Sequence, residues 1–331
     1  MTGAAAPIGL RAVHLALGDE VVDNVAHGGT LGLAPDFVRD KIGFLERRVA
    51  SAGAFDGSPH APDAPPGPTT RLAQAAIEGL LAEQDIDPAT IDCLVVCTQN
   101  PDGGGLPNTA SALHGRLGLS LRCAAFDLSL GCSGYVYGLS VVSAFMSANG
   151  FRRGVLITSD PYSKIVAADD RASSALFGDG ATASLLEPGA PWRIGAARFG
   201  SDGSLREAIS LRADGTLAMN GRQVFAFSAK TVPPLVNEML DAAGIGLEDV
   251  DLVLAHQGSR YIVEEIRKRL GADERQVPFR AERTANLVSS SIPAMLAGEI
   301  GRGEGRRLLL LGFGVGLSWG GIFLEHRTAV T

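Results

Sequence analysis

The sequence predicts an α/β fold of alternating strands and helices arranged in two similar halves. Short apolar, β-branched runs alternate with longer amphipathic stretches along the chain, which is the rhythm of α/β layering. The 331 residues are 46% apolar and 20% charged, enough for two domains or one large duplicated core. A helix-to-strand unit also recurs. RLAQAAIEGLLAEQDIDPATIDCLVVC from Arg71 lies over KTVPPLVNEMLDAAGIGLEDVDLVLAH from Lys230 without a gap. In each, an amphipathic helix leads through a short polar linker and an aspartate, Asp92 or Asp251, into an apolar strand ending at Cys97 or His256.

Taken in order, the N-terminal MTGAAAPIGLRAVHLALGDE reads as the first strand of the fold, with no basic leader before a long apolar core. The Pro-rich stretch SPHAPDAPPGPTT, from Ser58 to Thr70, reads as an exposed loop ending where Thr70 caps the next helix. RLAQAAIEGLLAEQ is then helical and IDCLVVCT a strand; RCAAFDLS is a strand and GYVYGLSVVSAFMSAN a helix. RGVLITS and ATASLLE are strands that close the first half, so the halves span 1–185, carrying Cys132, and 186–331, carrying His256 and Asn286. In the second half VPPLVNEMLDAAG and SRYIVEEIRKRLG read as helices, and DLVLAH, RRLLLLGFG and GGIFLEH as strands.

Composition excludes several function classes. No apolar run approaches the roughly 20 residues of a membrane span. Lys+Arg 29 against Asp+Glu 36 gives a net charge of −7, without the basic stripe of a nucleic-acid binder. Four cysteines are too few to staple such a chain, so reduced thiols and a cytoplasmic location are expected. Cys93 and Cys97 fall on one face of a buried strand and do not suit a zinc site.

Cys132, between Gly131 and Gly134, sits after a strand at the first residues of a helix. Small neighbours there lift the side chain clear and the helix N-terminus favours the thiolate over the thiol, as a nucleophile needs, while a buried structural cysteine is the alternative that Cys132 alone leaves open. Of six histidines, His256 leaves an apolar strand where a loop begins and is best placed to face a cleft, whereas His14, His27, His60, His114 and His326 read as superficial. Asn286 opens NLVSSSIPAML, ahead of a helix opened by Pro293, so its amide can point into the same cleft. GFGVGLSWGG, from Gly312, follows a strand and continues into another strand, which rules out a dinucleotide loop and suits an oxyanion hole.

Together these segments resemble the β-ketoacyl-acyl-carrier-protein synthase III family, of the thiolase fold, over nearly the whole chain. The resemblance rests on Cys132 in LGCSGYVYGL, His256 in HQGSRYI and Asn286 in NLVSSSIP, supported by IGFLERRVA, FGDGATA, MNGRQVFAF and GFGVGLSWGG. It implies duplicated halves in an α-β-α-β-α layering, with Cys132, His256 and Asn286 catalytic and the backbone N–H groups of Cys132 and Val315 forming the oxyanion hole. It further implies that Phe37, Lys41, Arg171, Met219, Gly221, Phe225, Gly258 and Ser259 line the pantetheine or Coenzyme A path, and that Leu106 and Phe313 border the acyl pocket.

The implied reaction passes an acyl group to Cys132 and condenses it with malonyl-acyl-carrier protein, losing carbon dioxide, in fatty-acid or specialised polyketide synthesis. Delivery of the acyl group to an alcohol or amine, or a role as a non-catalytic partner subunit, are the alternatives. No metal or redox cofactor is implied. The implied partners are an acyl carrier protein, acyl-CoA or acyl-carrier donors and a second copy of the chain. Phe37 and Lys41 stand where the family commonly has Trp and Arg, Val315 where it often has Gly, and Tyr261 where it often has a carrier-docking Arg, with Arg260 adjacent as a substitute.

Overall fold

A computed structural model describes residues 6–51, 66–302 and 306–327. The Pro-rich stretch from 58 to 65, including His60, lies outside the described residues. The chain opens with β1 (Ile8–Leu17), β2 (Glu20–Asp23), α1 (Asn24–Thr30), a wide π-helical turn at Phe37–Ile42, and β3 (Glu46–Val49). It continues through α2 (Pro68–Gln84), β4 (Cys93–Cys97), α3 (Thr109–Arg116), β5 (Ala124–Leu128), α4 (Gly134–Asn149), β6 (Gly154–Ser159) and β7 (Gly180–Pro188). The second half holds β8 (Trp192–Ser201), β9 (Ile209–Leu211), β10 (Leu217–Met219), α5 (Gly221–Ala243), β11 (Leu252–Ala255), α6 (Arg260–Leu270), α7 (Ser291–Ala297), β12 (Arg307–Gly314) and β13 (Ser318–His326).

Nine strands run in the order β11-β12-β13-β8-β1-β7-β6-β4-β5. The seam between β8 and β1 is narrow, pairing only Gly9 with Arg193 and Leu10 with Trp192. On either side the pattern is the same. β1-β7-β6 is antiparallel throughout and β6-β4 parallel, while β8-β13-β12 is antiparallel and β12-β11 parallel. The recurrent aspartates act alike: Asp92 Oδ2 accepts from the Arg153 amide ahead of β6 at 3.0 Å, and Asp251 Oδ2 from the Arg307 amide that opens β12 at 2.7 Å.

Strand alternation sorts side chains into layers, because successive residues face opposite sides of a sheet. Cys93, Val95 and Cys97 join Leu252, Leu254, Leu308 and Leu310 in a central core with α4 and α7, whereas Leu94 and Val96 face α2 and α3. Val253, Leu309 and Leu311 face outward to α5 and α6. Helices therefore lie outside each half-sheet and between the two, an α-β-α-β-α layering.

Several boundaries differ from those the sequence suggests. Thr70 is inside α2, whose N-cap is Gly67 with Pro68 next; Asp102, from a distant loop, accepts from the Thr70 amide at 2.8 Å in place of a local cap. α5 begins at Gly221, well before Val232, because Asn220 caps it through the Gln223 amide and Pro233 and Pro234 are accommodated within it. α7 starts at Ser291, so Pro293 lies in its first turn instead of opening it. The histidines read as superficial are half-buried where described: His14 pairs with Glu83, His27 meets Ser174, His114 meets the Ser120 carbonyl, and His326 packs edge-on to Trp192.

Trp192 is fully buried at the seam, and its indole donates to the Ile300 carbonyl at 2.9 Å. Trp192→Ala is expected to cost about 3–5 kcal/mol of stability in urea unfolding. A loss below about 1 kcal/mol would mean that the seam does not limit stability.

Candidate active site

A cavity of about 960 Å3 opens between the halves, at the carboxyl ends of β11 and β12 and beyond β5. It is lined by Cys132, His256 and Asn286 together, although these lie far apart in the chain. Val315 and Phe313 line it as well, as do Phe37, Lys41, Arg171, Met219, Gly221, Phe225, Gly258 and Ser259. Leu106 does not line it; the side chain is 81% exposed on the surface of this single chain.

Cys132 follows β5 and precedes α4 at a turn where backbones approach closely. A Cβ on Gly314 would come within 2.8 Å of the Cys132 sulfur, and one on Gly134 within 2.3 Å of the Cys97 sulfur. Glycine is required at both places by space. The β12–β13 turn is tied to the elbow, because Ser318 Oγ donates to the Val315 carbonyl at 2.9 Å and shares a 2.7 Å hydrogen bond with Ser133 Oγ. The backbone amides of Val315 and of Cys132 itself favour the charged form of the sulfur.

The electrostatics differ from the expected thiolate. Burial pushes the Cys132 thiol up to about 12, with the Asp160 carboxylate adding to the push and the two amides opposing it. Burial likewise holds His256 down at about 3, so its imidazole is neutral. The His256 ring meets Phe313 edge-on at 5.6 Å. Its Nδ1 is buried without a partner among the described residues, leaving Nε2 as the nitrogen that opens on the cavity.

Asn286 is held in one orientation. Its backbone bridges Phe177, donating to the Leu176 carbonyl at 3.0 Å and accepting from the Gly178 amide at 3.1 Å. Its Oδ1 accepts from the Val288 amide at 2.8 Å and from Ser291 Oγ at 3.3 Å, so the side-chain NH2 is the group left for the cavity. Ala285 and Val288 flank it with positive φ of 59° and 53°, strained values for residues other than glycine, and worst for β-branched Val288.

The three serines divide the work of fixing this segment. Ser289 donates to Asp160, Ser290 to the Thr158 and Gly180 carbonyls, and Ser291 to Asn286. Asp160 was not singled out by the sequence, nor were Ser133, Ser318, Tyr162 and Phe177. FGDG and VSSS were visible as motifs, but nothing in their spacing shows that they meet.

At the mouth, Phe37 and Lys41 come from the π turn. Lys41 Nζ lies 4.9 Å over the Tyr261 ring, which stacks on Phe225 with centroids 4.7 Å apart. Arg171 donates to the Gly32 carbonyl at 3.1 Å. Arg260, next to Tyr261, has its guanidinium engaged by Glu282 at 3.2 Å and by the Phe279 ring at 4.5 Å. Cys93 and Cys97 are free, buried thiols, and Cys97 donates to the Leu130 carbonyl at 3.2 Å.

Comparison with known proteins converges on one family. Residues 126–203 match the family described as 3-oxoacyl-[acyl-carrier-protein (ACP)] synthase III, and residues 240–326 match its C-terminal part. The chain is 37% identical to the beta-ketoacyl-[acyl-carrier-protein] synthase III 2 of Streptomyces coelicolor, over 92% of this chain and 89% of that one. Among solved structures, a 3-oxoacyl-(acyl-carrier protein) synthase from Burkholderia xenovorans superposes with a TM-score of 0.86 at 28% identity, over 98% of this chain and 95% of that one. The priming β-ketosynthase of the R1128 polyketide biosynthetic pathway superposes with a TM-score of 0.84 at 26% identity, over 99% of this chain and 98% of that one.

A thiol held near 12 is protonated at neutral pH, so its alkylation by iodoacetamide is expected to rise about tenfold per pH unit from pH 7 to 10. Mass spectrometry of modified Cys132 measures it, and a plateau near pH 7 would refute the burial argument.

Proposed function

We infer, from the premise that this chain belongs to the 3-oxoacyl-[acyl-carrier-protein] synthase III family, that it is a condensing enzyme joining an acyl group to a malonyl unit carried as a thioester. The observation that carries the residue-level reading is Asn286. Its oxygen is already bound, so an NH2 donor faces a cavity shared with neutral His256 and Cys132.

In the first half-reaction Cys132 takes the acyl group from a thioester donor. A new S–C bond forms, the donor's S–C bond breaks, and the proton leaving Cys132 ends on the departing thiol. The N–H groups of Cys132 and Val315 hold the oxyanion of the tetrahedral intermediate. The raised thiol pKa keeps Cys132 protonated at rest, so its proton passes to the departing thiolate as the donor's S–C bond breaks.

In the second half-reaction malonyl-acyl-carrier protein loses carbon dioxide, and the electron pair of the broken C–C bond becomes an enolate. His256 Nε2–H and Asn286 Nδ2–H donate to the thioester oxygen where that charge develops. The enolate carbon attacks the acyl-Cys132 carbonyl, and the Cys132 thiolate leaves and takes a proton from solvent water. The product is a 3-ketoacyl thioester, so the overall activity is that of an acyltransferase.

The mouth residues Phe37, Lys41, Arg171, Met219, Gly221, Phe225, Gly258 and Ser259 form the path of the pantetheine arm in this reading, and Phe313 borders the acyl chamber. An acyl carrier protein is the docking partner, and a cytoplasmic location accords with four free thiols. The homodimer belongs to the same proposal: β5 is the terminal strand of the sheet, and Leu106 and Leu121 are 81% and 98% exposed, an apolar edge suited to a second copy. Across that contact the partner's Leu106 would close the acyl chamber.

The decisive experiment mixes acyl donors, malonyl-carrier protein and enzyme and reads the intact mass of both proteins. The carrier is expected to gain the acyl group and lose carbon dioxide, with no change in the Cys132→Ala variant. His256→Ala and Asn286→Ala are expected to retain acylation and lose condensation by at least about 100-fold. An acylated enzyme beside unaltered malonyl carrier would defeat the condensing reading. Sedimentation of the full chain is expected to give a dimer, and an active monomer at assay concentration would remove Leu106 from the chamber.

A further inference from the structure

Tyr162 is a polar group in an apolar place. It follows Asp160 and Pro161 beyond β6, is only 4% exposed, and packs in one cluster with Cys132, Phe177, Leu217 and Val288. Its ring is tilted against Phe177 with centroids 4.9 Å apart, and it lines the cavity that Cys132 lines. Among the described residues, nothing forms a hydrogen bond with its hydroxyl. The nearest charged candidate is unavailable, because Asp160 already accepts from Thr98 Oγ at 3.0 Å, from the Gln99 amide at 2.8 Å and from Ser289 Oγ. Burial raises the phenol well above its ordinary value, which keeps it protonated and a donor.

The hydroxyl itself is not sealed and stays reachable from the cavity, but a donor there that loses its water without gaining a partner is costly. While the cavity is open, water satisfies it. Once Cys132 carries an acyl group the chamber dries, and a plain hydrocarbon chain strands the hydroxyl beside Phe177 and Leu176. A chain with an oxygen of its own offers the missing acceptor. We propose that Tyr162 is a specificity-determining residue that selects acyl groups bearing a carbonyl, hydroxyl or ether oxygen on the chain, beyond the thioester carbon. The inference rests on the reading that Cys132 accepts the acyl group, and it deepens that reading by naming the class of acyl group.

The test loads the full-length enzyme with CoA thioesters of equal chain length: hexanoyl, 3-oxohexanoyl, 3-hydroxyhexanoyl and 5-oxohexanoyl. The rate of acyl-Cys132 formation is read by intact mass, and the same donors are then offered with malonyl-carrier protein. At least one oxygenated chain is expected to load about tenfold or more faster than hexanoyl in kcat/KM, since a site built around a hydrogen bond rejects the analogue lacking it. Tyr162→Phe, which keeps the ring against Phe177 and removes only the hydroxyl, is expected to bring that ratio to about one. Equal loading of all four chains by the native enzyme overturns the proposal without reference to any variant, and so does a preference that survives in Tyr162→Phe. Absence of loading from every oxygenated donor overturns it as well. Selective loading without condensation would leave the specificity standing while defeating the condensing function.

Discussion

Two hydroxyls, Ser289 and Ser290, tie the Asn286 segment of the second half onto the first while Ser291 braces Asn286 within the segment, and the site depends on that tie. Ser290 reaches the carbonyls of Thr158 and Gly180 on neighbouring strands, and Ser289 reaches Asp160 at the end of β6. Those bonds hold the backbone where Ala285 and Val288 adopt left-handed conformations that L-residues otherwise avoid. The strain is local, and the orientation of the Asn286 amide follows from it.

The same junction sets the electrostatics. Burial keeps Cys132 as a thiol and His256 as a neutral imidazole, the opposite of a preformed ion pair. Asp160 contributes a buried negative charge that opposes the thiolate, and it is tolerated because Thr98, Gln99 and Ser289 all donate to it. Desolvation that penalises charge at rest strengthens hydrogen bonds to charge that appears only during reaction. In the proposed reaction such charge would meet the amides of Cys132 and Val315 and the donors of Asn286 and His256, which line one cavity.

Close approach of backbones is the second constraint. Gly314 and Gly134 leave room for the Cys132 and Cys97 sulfurs, so that two strand ends and a helix start can converge on one point. Ser318 then links the β12–β13 turn to Ser133, beside the nucleophile. The Ser133–Ser318 bond joins residues 185 positions apart, and neither serine carries a local pattern that distinguishes it from a surface turn residue.

The α/β class was legible because buried strands and amphipathic helices impose periods of two and 3.6 on apolar residues, and those periods are local. Cys132 at its glycine-flanked elbow, His256 at a strand end and the glycine-rich turn before the last strand could be read for the same reason. Position alone did not show that Thr70 lacks a capping role, since its amide is satisfied by Asp102 from a distant loop. Nor did it show that Arg260 is engaged by Glu282 and Phe279, or that Tyr162 turns its hydroxyl into an apolar chamber. Burial and partnership are properties of the packed molecule: the sequence by itself determined which residues could react and on which elements they ride. Only the tertiary structure decided which amide faces the cavity and which charges are suppressed, because hydrogen-bond orientation and desolvation depend on neighbours that chain order does not reveal.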